Sequence, residues 1–268
     1  VSRIDREHLV TFVERLRNAG LSAPSIRRRV AAIRGFSKWL LERQLLESDP
    51  LVGFELPAGR RRTLPRVIPP HDLARLLLHL QRAALITQQP RPDAVRARPH
   101  QSTTLLGVVL MLTTGIRVHE VVGISCGDID LQTLSIRILG KGRRERHVFL
   151  TNSWLTALTK TYLTARAELD IAHTQLLFNA LYAPLTTQTM RSRLREAAVG
   201  AGLSLHITPH MLRHTAATQL IEAGVDIRYI QRLLGHASLA TTELYTHVSD
   251  EALRRVVTTA DTLERIMH

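Results

Sequence analysis

Apolar residues recur with a helical period along most of this chain and with a period of two in one short stretch. Over residues 5–19, Leu9, Phe12, Val13 and Leu16 fall on one face, Asp5 stands where a cap belongs, and Gly20 stops the helix. A second helix is predicted from Ser22 to about Arg43, with Ile26, Val30, Ile33, Phe36 and Leu40 inward and Arg27, Arg28, Arg34 and Lys38 largely on other faces. Asp72 is the expected cap of a helix running through Leu80, and QQPRPDAVRARPH (88–100) reads as a polar loop with no assignable role. TLLGVVLMLTTG (104–115) predicts a buried helix closed by Gly115, and VHEVVGI opens another at once, holding Arg117 at a tight junction.

The period changes at 128–150, where DIDL, LSIRIL and RHVFL read as strands and GKGRRE as the turn that carries Lys141. Beyond it the helical pattern returns near 152–168, 187–201, 209–223, 227–234 and 251–266. The fold class is therefore mainly α with a small antiparallel β-sheet. LPAGRRRTLPRVIPP (56–70) has four prolines and no apolar period, which marks a linker. Residues 1–56 and 71–268 become two domains joined by a basic segment, 57–70. That segment reads equally as a solvated loop or as a strip laid along a phosphate backbone.

Charge changes the picture most. Thirty-six Lys and Arg against 23 Asp and Glu leave +13, and arginine supplies nearly all of the positive side. A planar guanidinium pairs with phosphate through two parallel hydrogen bonds, so this excess points to nucleic acid. The bland alternative is a GC-rich genome writing Arg for Lys. Up to Arg66 there are 14 Lys and Arg and 7 Asp and Glu, so the first quarter holds +7 of the total. Concentration in one region favours a polyanion partner. The longest apolar run, LLGVVLML (105–112), is short of the roughly 20 residues a membrane span needs, and the N-terminal residues form no secretory segment. With one cysteine, Cys126, no internal disulfide is possible. Cytoplasmic residence follows as the expectation.

ITPHMLRHTAATQLIEAG (207–224) is a well-signalled helix, with Thr208 as cap, Pro209 at its first position and Gly224 as stop. Spacings of three and four bring His210, Arg213 and His214 near its N-terminal end, where the backbone N–H groups and the dipole favour an anion. The next helix buries Ile227, Ile230, Leu233 and Leu234 and stops at Gly235, presenting His236 from a corner; Tyr245 follows near the end of a short helix opened by Ser238.

TTGIRVHE, GKGRRER, HMLRH, LLGH and ELYTH stand in the order and approximate spacing of the tyrosine recombinases, and the chain resembles the phage-integrase and Xer-type DNA recombinases over nearly its whole length. Any one block is weak, whereas five in order are specific. The resemblance implies a two-domain DNA clamp, a helical core-binding domain lacking its first helices and a mixed α/β catalytic domain. It makes Arg117 and Arg213 the phosphate-clamping arginines, Lys141 the hairpin lysine, His210 and His236 the two histidines, Tyr245 the nucleophile and Glu120 a supporting acid. Val118 and His119 depart mildly from the pattern. The partner implied is duplex DNA with a specific recombination site, held by a homotetramer on two duplexes through the helix 251–266, in a nucleoid-associated prokaryotic or mobile-element protein. Arg27, Arg28, Arg34, Lys38, Arg60, Arg61, Arg62, Arg143 and Arg144 are the candidate DNA contacts. No cofactor and no metal is expected.

The chemistry fits those residue types. Attack on a phosphodiester builds negative charge on the non-bridging oxygens, which two fixed guanidiniums and an imidazole match. A phenol with a pKa near 10 needs a base, for which His210 is the candidate, and the leaving 5′ oxygen needs an acid, for which Lys141 is. Each residue has a duller alternative: Arg117 as a capping ion pair to Glu120, Lys141 as a turn residue, His236 as a C-cap, Tyr245 as packing. His206, His210 and His214 also recur every fourth residue, as on a zinc-binding helix, but Pro209 leaves His206 outside and no HExxH follows. A type IB topoisomerase-like relaxing enzyme and a non-catalytic DNA-binding relative are the remaining alternatives.

Overall fold

The computed structural model describes residues 6–49, 51–56, 67–140, 145–235, 250–261 and 263. Two units divide at residues 64 and 65, within the proline-rich segment. In the first, helix α1 (Arg6–Asn18) ends at Gly20, whose φ of 74° is the left-handed turn that glycine adopts without strain. Helix α2 (Ala23–Glu42) follows, entered through Pro24. Leu9, Val13, Leu16, Ile26 and Val30 close over Leu51 and Phe54 to make this unit's core. Phe36, expected inward, is 53% exposed, and Ser37 is buried in its place. A ring at 36 lies off the stripe of 26, 30, 37 and 40, and stacks instead on Trp39 at 5.9 Å.

The second unit is built around a helix with no solvent face. Helix α5 (Pro99–Thr114) is buried on every side from Ser102 to Thr114, and α3 (Pro70–Ala83), α7 (Ser153–Ala167), α8 (Thr187–Gly200) and α9 (Pro209–Glu222) pack around it. Four of its five hydroxyls are satisfied locally: Ser102, Thr104, Thr113 and Thr114 each donate to a carbonyl one turn back. Two boundaries differ from the sequence expectation, both at prolines. Helix α3 starts at Pro70 and Asp72 lies in its first turn, favourable to the dipole but no cap. Residues 88–100 are not all loop, since α4 (Pro92–Ala97) buries Val95 and α5 already begins at Pro99.

Gly115 closes α5 with φ 65°, and a Cβ there would collide with Leu234 Cδ2. Helix α6 (Val118–Gly123) opens three residues later, and a single 3-10 turn (Cys126–Asp128) leads into the sheet. The three strands, β1 (Ile129–Asp130), β2 (Ser135–Leu139) and β3 (Glu145–Phe149), pair antiparallel in chain order, with Ile138 opposite Arg146 and Ile136 opposite Val148. The first strand is shorter than DIDL suggested, because the 3-10 turn takes Asp128.

Helix α10 (Ile227–Leu234) is capped by Asp226, which accepts from the Arg228 N–H at 2.8 Å, and ends on Gly235 at φ 64°. Ile230, Leu233 and Leu234 are buried as expected, but Ile227 is 53% exposed, since the first turn projects beyond the packed face. Helix α11 (Asp250–Ala260) stops short of the expected end at 266. It buries Leu253, Val257 and Ala260, with Leu263 beyond it, in this unit's own core, and Asn152 donates to the Asp261 carboxylate at 3.1 Å. No helix among the described residues is long and apolar enough to cross a membrane.

Candidate active site

The α5–α6 junction, the last strand and the end of α10 meet where three arginines converge. Arg117 precedes α6, and the Glu120 carboxylate accepts its backbone N–H at 2.7 Å and its Nη1 at 3.3 Å. Arg117 Nη1 also approaches the Leu234 carbonyl at 3.4 Å. Arg213, in the second turn of α9, donates through Nη1 to the Gly115 carbonyl (2.7 Å) and through Nη2 to the same Leu234 carbonyl (2.8 Å). The capping ion pair and a clamp are thus not exclusive. Arg117 spends one nitrogen on holding position, while its Nε and Nη2 donate to none of the described residues and its side chain stays 39% exposed.

The third guanidinium is one that the sequence motifs do not single out. Arg146 on β3 donates to both oxygens of Glu120 at 2.9 Å and through Nε to the Leu233 carbonyl at 2.8 Å. Strand alternation carries the signal that could have found it: Arg146 shares a face with buried Val148 and pairs with buried Ile138, so an arginine is aimed inward. A buried cation of that kind requires a partner.

Electrostatics follow from the packing. Glu120 has no exposed side-chain surface, and burial pushes its pKa up; the Arg146 fork, the Arg117 N–H and both guanidinium charges pull harder, so it lies below the ordinary glutamate range. Arg213 is lowered to about 10, first by burial and then by the charges of Arg117 and Arg146, with Glu120 opposing. It remains a cation at neutral pH. Three guanidiniums against one carboxylate leave a local excess of two positive charges, with Arg213 and Glu120 buried and Arg117 open to solvent.

His210 lies exposed in the first turn of α9, whose cap Thr208 accepts the Met211 N–H at 3.3 Å, one turn from Arg213. His206 is in the loop before that helix, so the every-fourth-residue spacing does not make a helical face. Among the described residues no group of three or more His, Cys, Asp or Glu is placed to hold a metal ion. Lys141, His236 and Tyr245 lie outside the described residues, as do Arg60, Arg61, Arg62, Arg143 and Arg144. Of the other three tyrosines, Tyr162 is sealed in the core against Thr103 at 2.6 Å, and burial raises its pKa beyond the usual phenol range.

In the first unit Arg27, Arg28, Arg34 and Lys38 are all exposed, and 27, 34 and 38 share one helical stripe. Two of them have local partners: Arg34 donates to the Phe54 carbonyl, and Lys38 stands 3.8 Å from Glu42.

The phage integrase family matches residues 77–252, and the N-terminal SAM-like domain of phage integrases matches residues 1–44. The chain is 33% identical to tyrosine recombinase XerD of Halalkalibacterium halodurans over 255 residues, covering 94% of this chain and 80% of that protein. It is 36% identical to tyrosine recombinase XerC of Mycobacterium tuberculosis over 240 residues, covering 89% and 77%. Among solved structures, the XerH site-specific recombinase bound to its difH substrate, a pre-cleavage complex, shares the fold at a TM-score of 0.67 with 24% identity, covering 94% of this chain and 70% of that one. With the ordered motifs, the helical unit carrying a three-stranded sheet and these matches in agreement, the chain belongs to the phage integrase family and is a tyrosine recombinase.

Proposed function

We propose that this protein cuts and rejoins duplex DNA at a specific site through a covalent 3′-phosphotyrosyl intermediate on Tyr245. The convergence of Arg117 and Arg213 on the Leu234 carbonyl, two residues before His236, carries the reading. Both guanidiniums are fixed by backbone carbonyls before any ligand arrives, which is the preorganisation that developing charge on a phosphorane rewards. The chemistry then needs no metal and no ATP. The Tyr245 oxygen attacks phosphorus while His210 takes the phenol proton. The bond to the 5′ oxygen breaks as Lys141 supplies that oxygen with a proton, and Arg117, Arg213 and His236 hold the non-bridging oxygens. Because the phosphotyrosyl ester conserves the bond energy, a 5′ hydroxyl from another duplex reverses the step.

Duplex DNA is the partner that the charge supports. Arg27, Arg28, Arg34 and Lys38 on the first unit, Arg60, Arg61 and Arg62 in the linker, and Arg143 and Arg144 at the hairpin are its proposed phosphate contacts. Exchange between two duplexes requires four cleavages and hence four subunits. The C-terminal segment is the proposed bridge between them, and since α11 buries its stripe in its own unit, bridging in trans falls to the residues beyond it or requires its release.

A nicked suicide duplex, from which the leaving fragment diffuses away, traps the intermediate. A gel-stable adduct formed in chelator and lost in Tyr245→Phe is expected. Site-specific binding without any adduct, or an adduct surviving Tyr245→Phe, contradicts the proposal.

A further inference from the structure

We propose that Arg146 is a positioning residue that locks the base of the β2–β3 hairpin to α6 and to the end of α10, a role resting on the strand-transfer reading above. All three guanidinium nitrogens are spent on structure rather than on ligand: Nη1 and Nη2 donate to the two oxygens of Glu120, and Nε donates to the Leu233 carbonyl. Glu120 in turn holds the Arg117 backbone N–H and Nη1. One buried carboxylate therefore joins two arginines from different elements, and the next carbonyl along, that of Leu234, receives Arg117 and Arg213.

The connection runs between segments whose relative placement the chemistry needs. Lys141 stands five residues before Arg146 on the hairpin, and His236 stands two residues after Leu234. Gly235 belongs to the same device. A Cβ there would lie 3.2–3.4 Å from the Arg146 guanidinium, so a side chain at 235 would press the fork off the turn. Lysine cannot replace the fork, because an ammonium does not span both oxygens of a carboxylate and a carbonyl in fixed planar geometry.

The test uses single-turnover cleavage of the suicide duplex with protein in excess over a range of concentrations, separating maximal rate from half-saturating concentration, with thermal unfolding alongside. Arg146→Lys is expected to remain folded, to keep its half-saturating concentration within about threefold, and to lose maximal rate about a hundredfold. Glu120→Gln/Arg146→Gln, which leaves no unpaired buried charge between the two positions, is expected to lose less rate than the two single-variant losses multiplied together, because the fork and the carboxylate act on the hairpin as one unit while Glu120 also holds Arg117. If Arg146→Lys does not fold, the double variant carries the same reading of rate against concentration. A folded Arg146→Lys that cleaves at the wild-type maximal rate, a loss confined to half-saturation, or losses that add across the pair overturn the positioning role. An absence of adduct from the wild-type protein instead overturns the strand-transfer reading, so the two failures are distinct.

Discussion

Glu120 is the residue on which most of the site's charge is balanced. Its carboxylate is fully buried between Arg117 and Arg146, so removing it leaves two guanidiniums without the anion that separates them. Breaking a buried pair from one side costs about 3–5 kcal/mol. Glu120→Gln is expected to lose stability on that order near neutral pH, read from urea unfolding. The sign with pH follows from the lowered pKa of Glu120. A depressed carboxylate stabilises the fold above its unfolded value, about 4.3, and that contribution disappears as pH falls through the folded value. The gap between wild type and Glu120→Gln therefore narrows on acidification below that point; a gap independent of pH would contradict the charge pairing.

At this scale the sequence is informative about identity and less so about contacts. TTGIRVHE and HMLRH put Arg117 and Arg213 forward, and both converge on Leu234. Arg146 is hidden because GKGRRER offers four basic residues in a row of seven, and it is the pairing with Ile138 that shows Arg146 aimed inward. Phe36 and Ile227 go the other way. Each fits a helical period in the sequence, but a helix has more apolar candidates than its neighbours can cover, and the ones at the margin of the stripe stay exposed.

Among the elements, α5 and α11 show what periodicity can and cannot decide. The run from Leu105 to Leu112 has no polar side, so burial on all faces is legible from composition alone. Its start is not, since Pro99 begins the helix where a proline-rich stretch reads as loop. The stripe of α11 is legible as apolar, though no pattern within one chain tells whether its partner is the same chain. In this structure Leu253, Val257, Ala260 and Leu263 complete the second unit's core. Leu253→Ala is expected to destabilise that unit by about 2–5 kcal/mol, as measured by denaturant unfolding of the isolated protein at low concentration. A loss below about 1 kcal/mol would show that the helix is not held at home in solution.

For the whole molecule, an excess of 13 positive charges and a preformed cluster of guanidiniums around one buried carboxylate answer different needs. The exposed arginines of α2 suit the regular array of phosphates on a duplex, where contacts are many and individually weak. In the proposed reaction the cluster at Leu234 would face one phosphate whose charge rises. A neutral backbone linkage at the scissile position separates the two, because a methylphosphonate lacks the negative charge that the proposed clamp would meet while the flanking phosphates remain. The most direct test is single-turnover adduct formation by wild type and Arg117→Ala on suicide duplexes with either linkage. The account predicts that Arg117→Ala falls about a hundredfold or more behind wild type on the phosphate and that most of this deficit vanishes on the methylphosphonate. An equal deficit on both linkages would contradict it.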